Sequence, residues 1–180
     1  MTFKLKHTLC VFASCLMMAA PASAQFAPNS DAPIKGSADN ADYRSDLTVL
    51  TGQVDVRQGD VRILSDVMKI YSIDGGVQGG AFENVSRIEA IGNFYYITPE
   101  QEVSGEKGVY EQASDTFTVT GGVILVQDKD NVVTGDKLIY NLTSNEAKIV
   151  GTCQGRKCGS KGRVNILIKN NNTNSAETQS

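Results

Sequence analysis

Hydrophobic and polar residues alternate in short runs along most of this chain. Val54-Asp55-Val56-Arg57, Thr116-Phe117-Thr118-Val119-Thr120 and, less cleanly, Val164-Asn165-Ile166-Leu167-Ile168 each switch about every residue. A period of two marks a strand with one buried face. No stretch between Asn40 and Lys169 sustains a 3.6-residue period. Turn-forming clusters separate the runs: Gln58-Gly59-Asp60, Asp74-Gly75-Gly76, Ser114-Asp115, Asp128-Lys129-Asp130-Asn131 and Thr143-Ser144-Asn145. Many short strands at near-regular spacing predict an all-β sandwich, roll or barrel.

The pattern repeats. Gly105, Tyr110 and Gly121 recur thirty positions on as Gly135, Tyr140 and Gly151. The text between agrees, with Ser104-Gly105-Glu106-Lys107-Gly108-Val109-Tyr110 matching Thr134-Gly135-Asp136-Lys137-Leu138-Ile139-Tyr140. A degenerate copy runs Ser65-Asp66-Val67-Met68-Lys69-Ile70-Tyr71, and the glycine-rich insert Gly75–Gly80 accounts for its larger offset. Each copy follows a glycine and an apolar strand: Gly52 with Val54 and Val56, Gly92 with Phe94 and Tyr96, Gly121 with Val123 and Leu125. Such units cannot bury their apolar faces alone, and stacking them builds one continuous inner face. Alternation with Asp55 and Arg57 points Val54 and Val56 inward, and alignment extends this to Phe94, Tyr96, Val123 and Leu125. Phe117, Val119, Leu138 and Tyr140 join them as candidate inner residues. The intervening Tyr95, Ile124 and Val126 are more apolar than a solvated face requires.

The N-terminus reads differently. Lys4, Lys6 and His7 precede an apolar run from Leu9 to Ala20, and Pro21-Ala22-Ser23-Ala24 supplies small residues at −3 and −1. These are the parts of a secretory signal peptide, with cleavage expected after Ala24. The run is too short for a membrane span. A lipoprotein cut before Cys15 fits less well, because Phe12 sits where Leu is preferred. Residues 25–39 carry Pro28, Pro33 and small polar residues and read as a flexible leader. Residues 40–169 form the β domain. Residues 170–180, Asn-rich and without apolar period, read as a disordered tail.

Composition narrows the function. The whole chain has 17 Lys+Arg against 20 Asp+Glu, a net charge of −3, so bulk electrostatics do not suit nucleic acid. The single histidine, His7, leaves with the signal. That excludes Ser-His-Asp and Cys-His catalysis and any histidine metal site in the mature chain. Phosphate-binding glycine loops and G-x-S-x-G are absent. Asp128-Lys129-Asp130-Asn131 lacks the glycine and distal Glu of a calcium loop, and Glu100 and Glu102 beside Pro99 read as solvated charge. No cofactor, metal or catalytic group is expected. Cys153 and Cys158 remain, and a near pair in an exported chain is read as a disulfide. A zinc half-site is the alternative, without partner ligands. Arg156, Lys157, Lys161 and Arg163 cluster around this pair with no acid among them. They make either a solvated loop or a contact for an anionic head group or acidic partner.

Three segments carry a family resemblance: Thr120-Gly121-Gly122-Val123-Ile124-Leu125, Thr134-Gly135-Asp136-Lys137-Leu138-Ile139-Tyr140-Asn141 and Lys148-Ile149-Val150-Gly151. The chain resembles the OstA-like periplasmic proteins of lipopolysaccharide transport, the LptA type, over roughly residues 35–168. The resemblance implies a β-jellyroll of many short antiparallel strands, open along one side. It implies a periplasmic protein that holds lipopolysaccharide acyl chains in an apolar interior. It also implies end-to-end stacking by strand pairing, between an inner-membrane-anchored component and an outer-membrane translocon. The glycine-rich insert and the Cys153–Cys158 basic loop depart from the family pattern. Two other readings stay open: a structural β-repeat protein of the envelope, with a filled core, and a periplasmic enzyme using an inward-facing acidic pair.

Overall fold

The computed structural model describes residues 32–73, 85–144, 146–153, 155–158 and 162–169. The segment read as a signal peptide, residues 25–31 of the leader, the glycine-rich insert, Lys161 and the segment read as a tail lie outside the described residues.

Ten strands form one antiparallel sheet: β1 (Lys35–Ser37), β2 (Asn40–Tyr43), β3 (Leu47–Gln58), β4 (Val61–Ser72), β5 (Val85–Ile97), β6 (Gln101–Glu111), β7 (Thr116–Gln127), β8 (Asn131–Asn141), β9 (Glu146–Val150) and β10 (Asn165–Leu167). The six long strands pair in chain order from β3 to β8. The outer edge of β3 carries β1 and β2, and the outer edge of β8 carries β9 and β10. Tight turns join the strands where the sequence places glycine or acid-rich clusters. Gly59 has φ 57°, and Asp128 and Lys129 have φ 51° and 67°. Left-handed residues at hairpin tips match the twist of the strands they join.

β1 falls inside the stretch read as a flexible leader, so the folded domain begins earlier than residue 40. Lys35-Gly36-Ser37 has no hydrophobic alternation to announce a strand. It is held by backbone pairing with Asp55–Arg57, and the neighbouring Ile34 and Ala38 pack on the core.

Each long strand bends near its middle, and the bends line up across the sheet. Pairing shifts register between Thr51 and Val54, Ile91 and Phe94, and Thr120 and Val123. At each shift two residues face one, which is a β-bulge and bends the strand. Gly92 has φ +77° and is followed by Asn93 at φ 44°. The Asp66 carboxylate of the neighbouring strand lies directly over Gly92, in the space a Cβ would occupy. The Asn93 Nδ2 donates to Asp66 Oδ2 at 2.9 Å. The same arrangement joins Asp39 to Gly52 and Glu106 to Gly121. At the last corner Asp136 accepts the Thr152 N–H at 2.6 Å. The repeat in the sequence is therefore a repeated corner. It folds one sheet over, so that its inner face meets itself.

The sheet also corrects the alignment of the degenerate copy. Tyr71 was matched with Tyr110 and Tyr140, yet the cross-strand row runs Ile70, Ile88, Tyr110, Phe117, Tyr140. Tyr71 pairs with Leu47 and Arg87 on the opposite face. The corner acid sets the count: Asp66 aligns with Glu106 and Asp136, so position 70 is the equivalent one.

A side chain on Gly92 meets both a left-handed backbone and the Asp66 carboxylate, whereas Gly122, at φ +61°, has open space. Gly92→Ala is expected to lower stability by about 2–3 kcal/mol, and Gly122→Ala by about 1 kcal/mol. Urea unfolding midpoints of the two variants check the order.

Candidate functional site: the groove between the half-sheets

Folding the sheet at its corners brings two sets of inward residues face to face. On one side of the bend lies the row Thr48, Ile70, Ile88, Tyr110, Phe117, Tyr140, Ala147. Beside it, nearer the bend, runs Leu50, Met68, Ala90, Gly108, Val119, Leu138, Ile149. Beyond the bend come Val54, Phe94 and Val123, then the row Val56, Ile63, Tyr96, Val103, Leu125, Val133, Ile166. The two sides touch through aromatic rings. Phe117 lies 5.5 Å from Phe94 and 5.5 Å from Tyr96, both tilted, a favourable geometry for aromatic pairs.

Val54, Val56, Phe94, Tyr96, Val119, Val123, Leu125 and Leu138 are all buried, and Phe117 and Tyr140 are half-buried. The structure brings these ten into one interior. The alternate positions Tyr95 and Ile124 are 38% and 43% exposed on the outer face. Sequence reasoning missed Ile63, Ile88, Tyr110, Ala147, Ile149 and Ile166. Tyr110 was signalled by its repeat partner Tyr140, and Ile166 by the alternating run it sits in.

The interior is not uniform. Around Phe94, Ile88 and Tyr110 the free volume is about 20 Å³, room for roughly one water. Toward β7–β9 it widens to about 170 Å³, lined by Tyr96, Val103, Phe117, Leu125, Leu138, Tyr140 and Ala147, with Gln101 and Gln127 at one end. The widening has a local cause, because Ala147 stands in the row where its neighbours are tyrosine and phenylalanine. At the β1–β2 end Ile34 and Ala38 pack on the core, and Tyr43, which continues the inward row from Thr48, is 58% exposed. At the other end nothing among the described residues covers it: Ile166 and Ile168 are 65% and 69% exposed, and Leu167 on the outer face is 66% exposed. The interior is thus more fully buried along β3, where Val54 and Val56 are buried, than along β8, where Val133 and Tyr140 are half-buried, and the β8–β10 end is the more open one.

Charge stays on the outer face. Asp55 accepts from Arg57 and from Arg62, and these two guanidiniums hold its carboxyl well below the usual range. Burial raises Glu89, yet the Lys107 and Arg87 cations outweigh it and leave the carboxyl lowered. Glu100 and Glu102 are exposed, so they form no inward acidic pair. Among the described residues no cluster of His, Cys, Asp and Glu could hold a metal. Inside, the titratable groups are phenols. Burial, then Tyr140 and Glu100, pushes Tyr96 up to about 12. Burial and Asp115 push Tyr110 up to about 12, and its hydroxyl donates to Asp115 Oδ1 at 3.3 Å.

Cys153 and Cys158 are joined, with Cα atoms 6.0 Å apart. Arg156, Lys157 and Arg163 are exposed around this bridge, outside the groove itself.

The family model that matches this chain is that of the LptA/LptD N-terminal domain lipopolysaccharide transport proteins, over residues 33–146. The chain belongs to that family. Its match spans the sheet from the residues before β1 to the start of β9. An uncharacterized protein of Rhizobium meliloti (strain 1021) is 24% identical over 131 residues, 71% of this chain and 70% of the other. The fold is that of the crystal structure of LptH, the LptA-homologous periplasmic component of the lipopolysaccharide transport device of Pseudomonas aeruginosa. The TM-score is 0.61 at 19% identity, covering 77% of this chain and 96% of LptH. LptA-type domains serve transport, not catalysis, so the carboxylate-enzyme reading falls and this chain is not an enzyme.

Because the raised phenols favour the neutral form, their contribution to stability is full below the ordinary phenol value near 10 and is lost as pH rises toward 12. The unfolding midpoint is expected to fall between pH 10 and 12. Tyr96→Phe with Tyr110→Phe should flatten that fall, as read by urea titrations at each pH.

Proposed function

We propose that this protein is a periplasmic carrier that shields the acyl chains of lipopolysaccharide in the groove between its half-sheets and passes the lipid from the inner toward the outer membrane. The observation that carries this reading is the apolar interior between the half-sheets, filled around Phe94 and widening to about 170 Å³ toward β7–β9, beside the exposed Ile166 and Ile168. Val54, Val56, Phe94, Tyr96, Phe117, Val119, Val123, Leu125, Leu138 and Tyr140 are the proposed chain-binding wall. Family membership supplies the transport context. An envelope protein serving only as a structural repeat has no use for an uncovered apolar end.

Each methylene kept from water is worth about 0.8 kcal/mol, so a chain of a dozen is worth on the order of 10 kcal/mol. That is enough to make the groove preferable to water and too much for unaided passage between membranes. The resting volume of about 170 Å³ is below the roughly 300–1,000 Å³ usual for ligand sites. A chain therefore enters by parting the half-sheets at β8–β10, where burial is thinnest. No bond is made or broken, and direction comes from an ATP-driven partner. The exposed edges of β1–β2 and β9–β10 pair with the inner-membrane-anchored component, the outer-membrane translocon or further copies of this chain, by strand addition.

Displacement of a fluorescent fatty acid tests the groove. The parent protein is expected to bind the probe. Ala147→Trp, placed in the wide part at an exposed position, should weaken binding at least tenfold and leave the unfolding midpoint near the parent value. No binding by the parent would favour a structural β-repeat protein.

A further inference from the structure

We propose that Arg156, Lys157 and Arg163, beside the Cys153–Cys158 bridge between β9 and β10, bind the anionic head group, phosphate or carboxylate, of an amphiphile whose chain lies in the open end of the groove. The proposal rests on the groove reading above and adds the recognition of the head.

Position comes first. Ile149, two residues before Gly151, shares the inward row with Leu138, and Ile166, three residues after Arg163, shares the inward row with Val133. The loop thus joins the last two inward positions of the open end, which places it on the rim. It also lies beyond residues 33–146, so the family match does not describe it.

The described residues on either side are held in place. Cys153 N donates to the Gly162 carbonyl at 2.7 Å. Thr152 N donates to Asp136 at 2.6 Å. Gly151 packs so closely on Gly162 that no side chain fits there. The Cys153–Cys158 bridge ties Cys158, next to Arg156 and Lys157, back to Cys153. A rim feature tied at four points presents its side chains at little ordering cost.

Chemistry comes last. Arg156, Lys157 and Arg163 are exposed, and among the described residues none has a carboxylate partner. Four strand cations, Arg57, Arg62, Arg87 and Lys107, are each paired with an acid; what sets the loop apart is that its cations stand together with no acid nearby in the sequence. From Gly151 to Val164 the sequence holds four cations, Lys161 included, and no acid, in a chain of net charge −3. Guanidinium groups offer paired donors that match phosphate and carboxylate oxygens. An amphiphile seated by its chain brings such a head to the rim and supplies the missing charge.

The test compares dodecyl phosphate with dodecyl maltoside, each below its micelle concentration, by displacement of a fluorescent fatty acid from the oxidised full chain. Dodecyl phosphate is expected to bind about tenfold more tightly at low salt, the combined effect of several exposed ion pairs. Arg156→Glu with Lys157→Glu should remove that preference and leave maltoside affinity unchanged. Cys153→Ser with Cys158→Ser should reduce it in the same selective way, because the loop loses a tie. Salt should erode the preference in the parent alone. Equal affinity for the two amphiphiles, or a preference that survives charge reversal, would overturn the proposal. So would inorganic phosphate binding as well as dodecyl phosphate, which would mean a free-anion site. If neither amphiphile displaces the probe, the groove reading fails first.

Discussion

A carboxylate lying over a left-handed glycine on the next strand is the contact on which the molecule depends. Asp39 over Gly52, Asp66 over Gly92 and Glu106 over Gly121 put a corner at the same height in successive strands. A single flat sheet of this size would have two faces and no interior. Bent in register, it encloses one. The chain satisfies its edge strands in the same manner at both ends. A broken outer strand, β1–β2 or β9–β10, follows the corner with a gap where the long strand bends.

The same bend explains why the interior can serve a lipid. A two-layer core built from separate sheets is packed from all sides. Here the layers are joined along one side only, and side-chain size decides how far they stay apart. Phe94, Met68 and Ile70 fill the β3–β6 half. Ala147 and the uncovered Ile166 leave the β7–β10 half open. The interior thus has a well-filled half, a more open half and, beside the open half, a disulfide-bridged segment carrying exposed cations. Charged ladders such as Asp55 with Arg57 and Arg62 stay on the outer face, where water bears the cost of the charge.

Strand content and the inward phase of half the strands were legible in the sequence, and the reason is geometric. Along β3, β5 and β7 the inward residues keep one parity through the bend: Leu50 to Val54, Ala90 to Phe94, Val119 to Val123. Simple alternation therefore reads them correctly. Along β4, β6 and β8 the parity switches at the corner acid, from Ser65 to Met68, Val103 to Tyr110 and Val133 to Leu138. Alternation alone cannot follow that switch, which is why the repeat pattern sets Tyr71, one place from the equivalent Ile70, against Tyr110 and Tyr140. β1 was illegible because backbone pairing, not side chains, holds it. The open end was illegible because exposure depends on what covers β10, and sequence pattern records only that Ile166 and Ile168 are apolar.

Photocrosslinking in cells tests the central claim most directly, with a crosslinking residue placed at Leu125 and, in a second strain, at Ile124. These neighbours share a strand and face opposite ways, 6% and 43% exposed. A lipopolysaccharide adduct at Leu125 with none at Ile124 is the predicted result. An adduct at Ile124 alone, or none at Leu125 in well-expressed protein, would contradict the account.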